Sequence, residues 1–449
     1  MRIKSVTVGG FRNLKRTRIE LDKMVVLVSP NNFGKSNLLQ AIDFGADYLL
    51  ASTNARRRMM KWRSGIPLTP ACAFDDYWFE IELDAPSLGE YRYVRYGFSF
   101  TWFKDDGTGQ KITNEWLDAR KSESVKYSSF LQRNEGTYRK GYSTQARRKV
   151  VLDDAQLSID VLAAIDDIEI ANVIMVIKSF TYHVCASLDL QDSFSPAPFE
   201  FLSGRGGGMC FDDSDVPTAL ALLHENFPKQ SELFVEAVFT LFPEFSRMGL
   251  QKMENNSDEQ IHFLFARSDT DKRLNAANEQ VPDIPFRLRD VVYKLIIESD
   301  FLNQPIDVDS MSAGTKRLIW LLAKVFVSGC TGVSFLAVEE METSIHPRLL
   351  KSLVEILVES TEEIRIIVTS HSPFLVQYMK MHQLYLGIPD DTGAATFRKI
   401  SASKSKNLVN TARNLGVSVG EYLFELMAGD SDSTRILNQY LEEPVRDRV

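Results

Sequence analysis

One short stretch, Met24 to Leu39, restricts what this chain can fold into more than any other. Val25, Val26, Leu27 and Val28 form a β-branched, apolar run that predicts a buried strand. A tight turn follows, Ser29-Pro30-Asn31-Asn32-Phe33-Gly34, and then Leu38, Leu39, Ala41 and Ile42 at helical spacing. Strand, turn and helix in this order are the parts of a phosphate-binding loop. Backbone N–H groups of such a turn point inward at phosphate oxygens, and the helix adds roughly half a positive charge at its N-terminus. In this pattern Lys35 reaches the β- and γ-phosphates, Ser36 holds Mg²⁺ through its hydroxyl, and Gly34 permits a close approach that a Cβ would block. Ser29, Asn31, Asn32 and Asn37 complete the candidate nucleotide-binding set. Ser29 departs from the motif, since it stands where the first glycine of G-x-x-x-x-G-K-[ST] belongs.

With 449 residues the chain can hold two or three domains. No run approaches 18 consecutive apolar residues, so no membrane span is expected. Met1 to Val8 alternates as a strand and does not read as a signal peptide. Cys72, Cys185, Cys210 and Cys330 lack metal-site spacing and read as buried thiols of a reducing, cytoplasmic compartment. The net charge of −8 argues against nucleic acid as the main partner. Two basic stretches qualify that: Arg56 to Arg63, and Arg133 to Lys149 with Tyr138 and Tyr142 interleaved. Each reads either as a phosphate-backbone contact or as a solvated polar segment.

Four domains are expected from the pattern. Residues 1–150 form a lobe with the phosphate loop and an antiparallel sheet, suggested by the aromatic alternations at 77–84, 91–104 and 112–117. Residues 151–300 read as a mainly helical insert without heptads, including a glycine-rich loop at Ser203 to Gly208. Residues 301–395 return to α/β alternation, and 396–449 form a helical tail.

The third of these carries three further motifs. Ser312-Ala313-Gly314 opens an amphipathic helix, where small residues leave N–H groups for an anion. Val333 to Val338 is an apolar strand ending in Glu339-Glu340, the Walker B pattern. Glu339 is placed near Mg²⁺, where Asp is usual, and Glu340 orients and deprotonates a water. Thr369-Ser370-His371-Ser372-Pro373 follows another apolar strand and resembles the switch-histidine motif of ABC ATPases, which implies a γ-phosphate sensor at His371. His183, His224, His262 and His382 read as structural. Each motif alone is common; four in this order predict a P-loop ATPase with its site at the carboxyl ends of the strands.

With these residues the chain resembles the RecF and structural-maintenance branch of ABC ATPases. More closely it resembles the overcoming-lysogenisation-defect type of phage-defence ATPases. The likeness rests on Ile3 to Asn13, on Asn31 to Asn37, on Glu339-Glu340-Met341-Glu342 with His346-Pro347, and on Thr369 to Pro373. Met341 and Ile345 depart from the usual Pro and Leu. The resemblance implies an α/β ABC-type head, with a mixed sheet, an antiparallel β subdomain and a compact, mainly helical insert. It also implies ATP and Mg²⁺ at a head-to-tail dimer interface, with Ser312 and Gly314 of one copy facing Lys35 and Ser36 of the other. A larger ring would form through the helical insert. Only 78 residues follow His371, too few for the Toprim nuclease domain of that type. A separate effector protein is therefore expected, as in the PARIS defence system, along with a phage trigger protein and no membrane. The other readings are a RecF-like clamp closing on duplex DNA and, given Ser29 and Glu339, a protein that binds ATP as structural glue and hydrolyses it poorly.

Overall fold

Residues 1–31, 33–134, 137–140, 148–149, 152–162, 168–180, 182–185, 193–195, 199–201, 215–254, 286–288, 291–360, 364–389, 392–429 and 431–443 are described by the computed structural model. Asn32, Ser203 to Gly208, Cys210, His262, Tyr142 and Arg147 lie outside them.

The chain divides into two units, one of residues 1–187, 333–343 and 361–449, the other of 188–332 and 344–360. The first holds two sheets. Its strands are β1 (Arg2–Gly9), β2 (Thr17–Glu20), β3 (Met24–Val28), β4 (Tyr77–Asp84), β5 (Tyr93–Thr101), β6 (Lys111–Arg120), β7 (Ser128–Asn134), β8 (Thr137–Lys140), β9 (Arg148–Lys149) and β10 (Tyr182–Cys185). The second unit contributes β11 (Phe199–Phe201), β12 (Phe245–Glu254), β13 (Phe286–Leu288), β14 (Val291–Ser299) and β15 (Ile306–Asp307). The first unit then resumes with β16 (Phe335–Val338), β17 (Arg365–Ser370), β18 (Leu384–Pro389) and β19 (Ala395–Lys399).

One sheet runs β10-β16-β17-β3-β18-β19, parallel except for β19. All five residues of β3 are buried, as a strand covered on both faces requires. Register pairs Val28 with Ser370 and Val338 with Val368, so β3, β17 and β16 end side by side. The other sheet is antiparallel, ordered β2-β1-β4-β5-β6-β7-β8-β9. Helix α1 (Lys35–Leu50) buries Leu38, Leu39, Ile42 and Leu49 and contacts both β1 and β10. Its fit against the antiparallel sheet is close: a Cβ on Gly45 would stand 2.0 Å from the Phe79 ring. Tyr77 donates to the Ala41 carbonyl at 2.7 Å, and Phe11, Phe44, Tyr77, Phe100 and Trp102 form a continuous aromatic core there.

One cation of the first basic stretch is absorbed by this unit, while Arg57, Arg58, Lys61 and Arg63 are exposed. The stretch begins in α2 (Thr53–Met59), where Arg56 is buried. Arg56 donates to the carbonyls of Tyr48 and Leu49, capping the end of α1, and pairs with Asp160. Arg57 pairs with Asp153. In the second stretch Arg133 is buried beside Glu115 and donates to the Gln156 carbonyl. Arg139, Lys140, Arg148 and Lys149 lie in β8 and β9.

The segment 151–300, expected as a mainly helical insert, is shared between the two units and holds strands as well as helices. Antiparallel β12, β14 and β15 form a sheet there. Val291, Val292, Leu295 and Ile296 sit at spacings that mimic a helix, whereas the residues the strand buries include Val292, Leu295 and Ile297. Numbered after α3 (Ser158–Leu162) and α4 (Ile168–Lys178) of the first unit, helices α5 (Val216–Asn226), α6 (Pro228–Leu241) and α7 (Ala313–Cys330) pack together, and α8 (Pro347–Ser360) joins α6 and α7. Back in the first unit, α9 (Pro373–Tyr378) leads on to the tail helices α10 (Ser405–Asn414), α11 (Val419–Ala428) and α12 (Ser431–Tyr440). No helix among the described residues is long and apolar enough to cross a membrane.

Candidate nucleotide site

The site lies at the carboxyl ends of β3, β17 and β16. Ser29 closes β3, fully buried and without a positive φ. Its side chain fits because β18 carries a glycine: a Cβ on Gly387 would stand 2.8 Å from Ser29 Cβ. Gly34 has φ +98°, and a Cβ there would meet Ala395 Cβ at 3.0 Å. Asn31 and Ser36 are exposed.

Lys35 is 7 % exposed. Its ammonium donates to the Ser29 carbonyl at 2.8 Å, the Pro30 carbonyl at 3.2 Å and Ser29 Oγ at 3.2 Å. Burial lowers its pKa to about 8 against the opposing pull of Glu340, Glu342 and Glu339. Three oxygens thus hold the ammonium at the place where the loop would receive phosphate oxygens. Asn37 is engaged within the fold: its amide donates to Asn13 Oδ1 at 2.7 Å and its oxygen accepts from Arg12 at 2.8 Å.

Glu339 and Glu340 leave β16 at the same edge. The Ser36 hydroxyl bonds the Glu339 carboxyl, whose pKa burial raises. Ser36 and Glu339 therefore offer hard oxygen donors, which suits Mg²⁺ completing its shell with phosphate and water. Glu340 has φ +47°, a strained value for a residue with a Cβ. Its N–H donates to Thr369 Oγ1 at 2.9 Å, which fixes that turn. Its exposed carboxylate accepts from Thr343 at 3.2 Å. His371, just past β17, brings Nδ1 to 3.4 Å from Lys35 Nζ and Nε2 to 3.9 Å from Glu340 Oε1. Burial, and then the Lys35 charge, lower its pKa, so the ring is neutral at pH 7 and accepts from Lys35 at Nδ1. These groups line an open cleft of about 420 Å³.

Ser312 and Gly314 belong to the second unit. Ser312 caps α7, its Oγ accepting from the Thr315 N–H at 3.2 Å. Gly314 must be glycine, because a Cβ would stand 2.4 Å from the Ser344 carbonyl. Asn32 is outside the described residues. Sequence reasoning gave no role to Thr369, Glu342, Asn13 or Gly387. Only Gly387, a glycine inside a strand pattern, carried a signal of close approach.

Residues 1–56 match the family model of an AAA ATPase domain. Residues 220–377 match that of an AAA domain described as putative AbiEii toxin, Type IV TA system. The solved head of an Smc protein bound to the C-winged helix domain of ScpA superposes with a TM-score of 0.50 at 14% identity, covering 91% of this chain and all of that one. The fold is that of an ABC-type ATPase head. Two further heads align less closely. One is derived from Pyrococcus furiosus, with an extended coiled coil and bound to the C-terminal domain of ScpA (13% identity, 92% and 99% covered, TM-score 0.47). The other is from Thermotoga maritima (11% identity, 90% and 100% covered, TM-score 0.41). A comparison with curated proteins found no match. The two family matches divide the head's motifs between them: the first contains Lys35 and Ser36, the second Ser312, Glu339, Glu340 and His371.

Proposed function

We propose that this head binds and hydrolyses ATP, and that hydrolysis drives a switch in anti-phage defence that holds and releases a separate effector protein. The observation that carries the hydrolysis reading is the meeting of Lys35, Glu340 and His371 at one strand edge. Lys35 exchanges its carbonyl partners for β- and γ-phosphate oxygens. Glu340 takes the proton of the attacking water. His371 donates from Nε2 to the γ-phosphate. Mg²⁺, held by Ser36 and Glu339, neutralises phosphate charge when bound.

In this reading the site is completed by a second copy, whose Ser312 and Gly314 present the start of α7 across a head-to-tail interface. The defence role is supported by the match to the putative AbiEii-toxin AAA model and by the net charge of −8. The burial of Arg56 and Arg133 within the fold takes two cations away from a duplex-binding surface. The test is capture of tagged Glu340→Gln protein from its native cells in ATP. A stoichiometric protein partner supports the switch. Nuclease-sensitive nucleic acid without a protein partner overturns it in favour of a DNA clamp.

A further inference from the structure

The turns after β16 and β17 are cross-laced. Thr369, on β17, accepts the N–H of Glu340 at 2.9 Å. In return Glu342, after β16, accepts the N–H of His371 at 2.7 Å and the hydroxyl of Ser370 at 2.8 Å, both on Oε1. Ser370 Oγ then accepts the N–H of Ser372 at 2.9 Å, which closes the start of α9. Each turn that bears a reacting group is therefore fixed by a side chain from the other.

We propose that Glu342 is a positioning residue for hydrolysis, holding the backbone of the turn that carries His371 in register with Lys35 and Glu340. The proposal rests on the ATPase reading above. One carboxylate oxygen receives two donors from consecutive residues, so it fixes both the place and the rotation of the His371 peptide. Bonds of a charged acceptor to N–H and O–H are about twice as strong as neutral ones. Without them the turn keeps its strand but loses its anchor. The His371 ring then loses its placement between Nζ of Lys35 at 3.4 Å and Oε1 of Glu340 at 3.9 Å. A misplacement of about 1 Å costs up to about a hundredfold in rate. Glu342 itself needs no contact with substrate.

Two variants separate positioning from general stability. Gln at 342 keeps an oxygen that accepts from both donors; Ala keeps none. Steady-state ATP turnover and amide exchange of peptides spanning 369–378 are measured on wild type, Glu342→Gln and Glu342→Ala. The expected result for Glu342→Ala is a fall in kcat of about tenfold or more, with KM for MgATP changed less than about threefold. Exchange accelerates at least about tenfold in those peptides alone, where the anchoring bonds are lost. Glu342→Gln, which keeps the acceptor oxygen without its charge, falls between wild type and Glu342→Ala in both readouts. Unchanged exchange at 369–378 in Glu342→Ala overturns the proposal. So does a rise in exchange spread through β3 and α1, which marks a merely structural role. Wild-type protein without turnover sinks the ATPase reading instead, and the exchange comparison still decides the role of Glu342.

Discussion

Lys35 and His371 touch: Nζ of the one lies 3.4 Å from Nδ1 of the other, with the ammonium donating into a neutral ring. The contact joins the loop after β3 to the turn after β17, and it sets how the site responds to pH.

Both groups titrate below their ordinary values, Lys35 at about 8 and His371 below 6.5. Only the ammonium of Lys35 suits phosphate, so ATP capture weakens as pH rises through about 8. Protonation of His371 would end its acceptance from Lys35 at Nδ1, so an acid-side loss of activity lies below the ordinary histidine range. The expected profile of kcat/KM, which reports the free enzyme, is a bell with these limbs. His371→Gln should shift the acid limb to lower pH in whatever activity remains, leaving only the fall that protonation of the base Glu340 brings. An acid limb at or above pH 6.5 contradicts the neutral ring.

A buried ammonium also costs stability. With a folded pKa of about 8 against an ordinary 10.5, the unfolded chain binds more protons between those values. Stability therefore rises with pH across that window, and the penalty is fully present below pH 8. Lys35→Met should stabilise the nucleotide-free protein at pH 7 by on the order of 1 kcal/mol, after allowance for solvent screening, while MgATP binding is lost. Thermal melting with and without MgATP checks both; a destabilised variant, or one still shifted by MgATP, contradicts the assignment.

Ser29 is tolerated at the first position of the loop because Gly387 leaves space beside it. Gly387→Ala puts a Cβ 2.8 Å from Ser29 Cβ and 2.6 Å from the Phe397 ring. It should destabilise by about 1–3 kcal/mol. Part of that cost should be recovered with Ser29→Gly, giving a coupling of at least about 0.5 kcal/mol in a double-mutant cycle by denaturant unfolding. Strict additivity would show that the two sites are independent.

Arg56 belongs to the fold. Removing it uncaps the Tyr48 and Leu49 carbonyls and leaves Asp160 to Lys178 alone. Arg56→Ala should cost about 2–4 kcal/mol by chemical denaturation and leave DNA retention in a filter assay unchanged. A stable variant with weakened DNA retention would instead return this stretch to a nucleic-acid role.

The framework was legible in the sequence to different depths. Val25 to Val28 and Leu336 to Val338 are apolar because their sheet is covered on both faces, so strands and motif order could be read together. The strands β12 and β14 were not legible, because a coarse reading of 151–300 as mainly helical does not resolve an alternating, half-buried run such as 291–299. Arg56 read as a surface cation because composition does not show that the end of α1 lies within its reach. The lacing of Glu340 by Thr369 and of His371 by Glu342 joins residues 28 or more positions apart, and only the pairing of β16 with β17 brings them together.

The most direct test is single-turnover hydrolysis of MgATP by purified wild type and Glu340→Gln, with bound nucleotide measured in both. The expected result is equal binding, hydrolysis by wild type, and a loss of at least about a hundredfold in the variant, within the range assigned to a general base. Hydrolysis by Glu340→Gln at the wild-type rate, or no ATP bound by either protein, would contradict a hydrolytic site built on Lys35, Glu340 and His371.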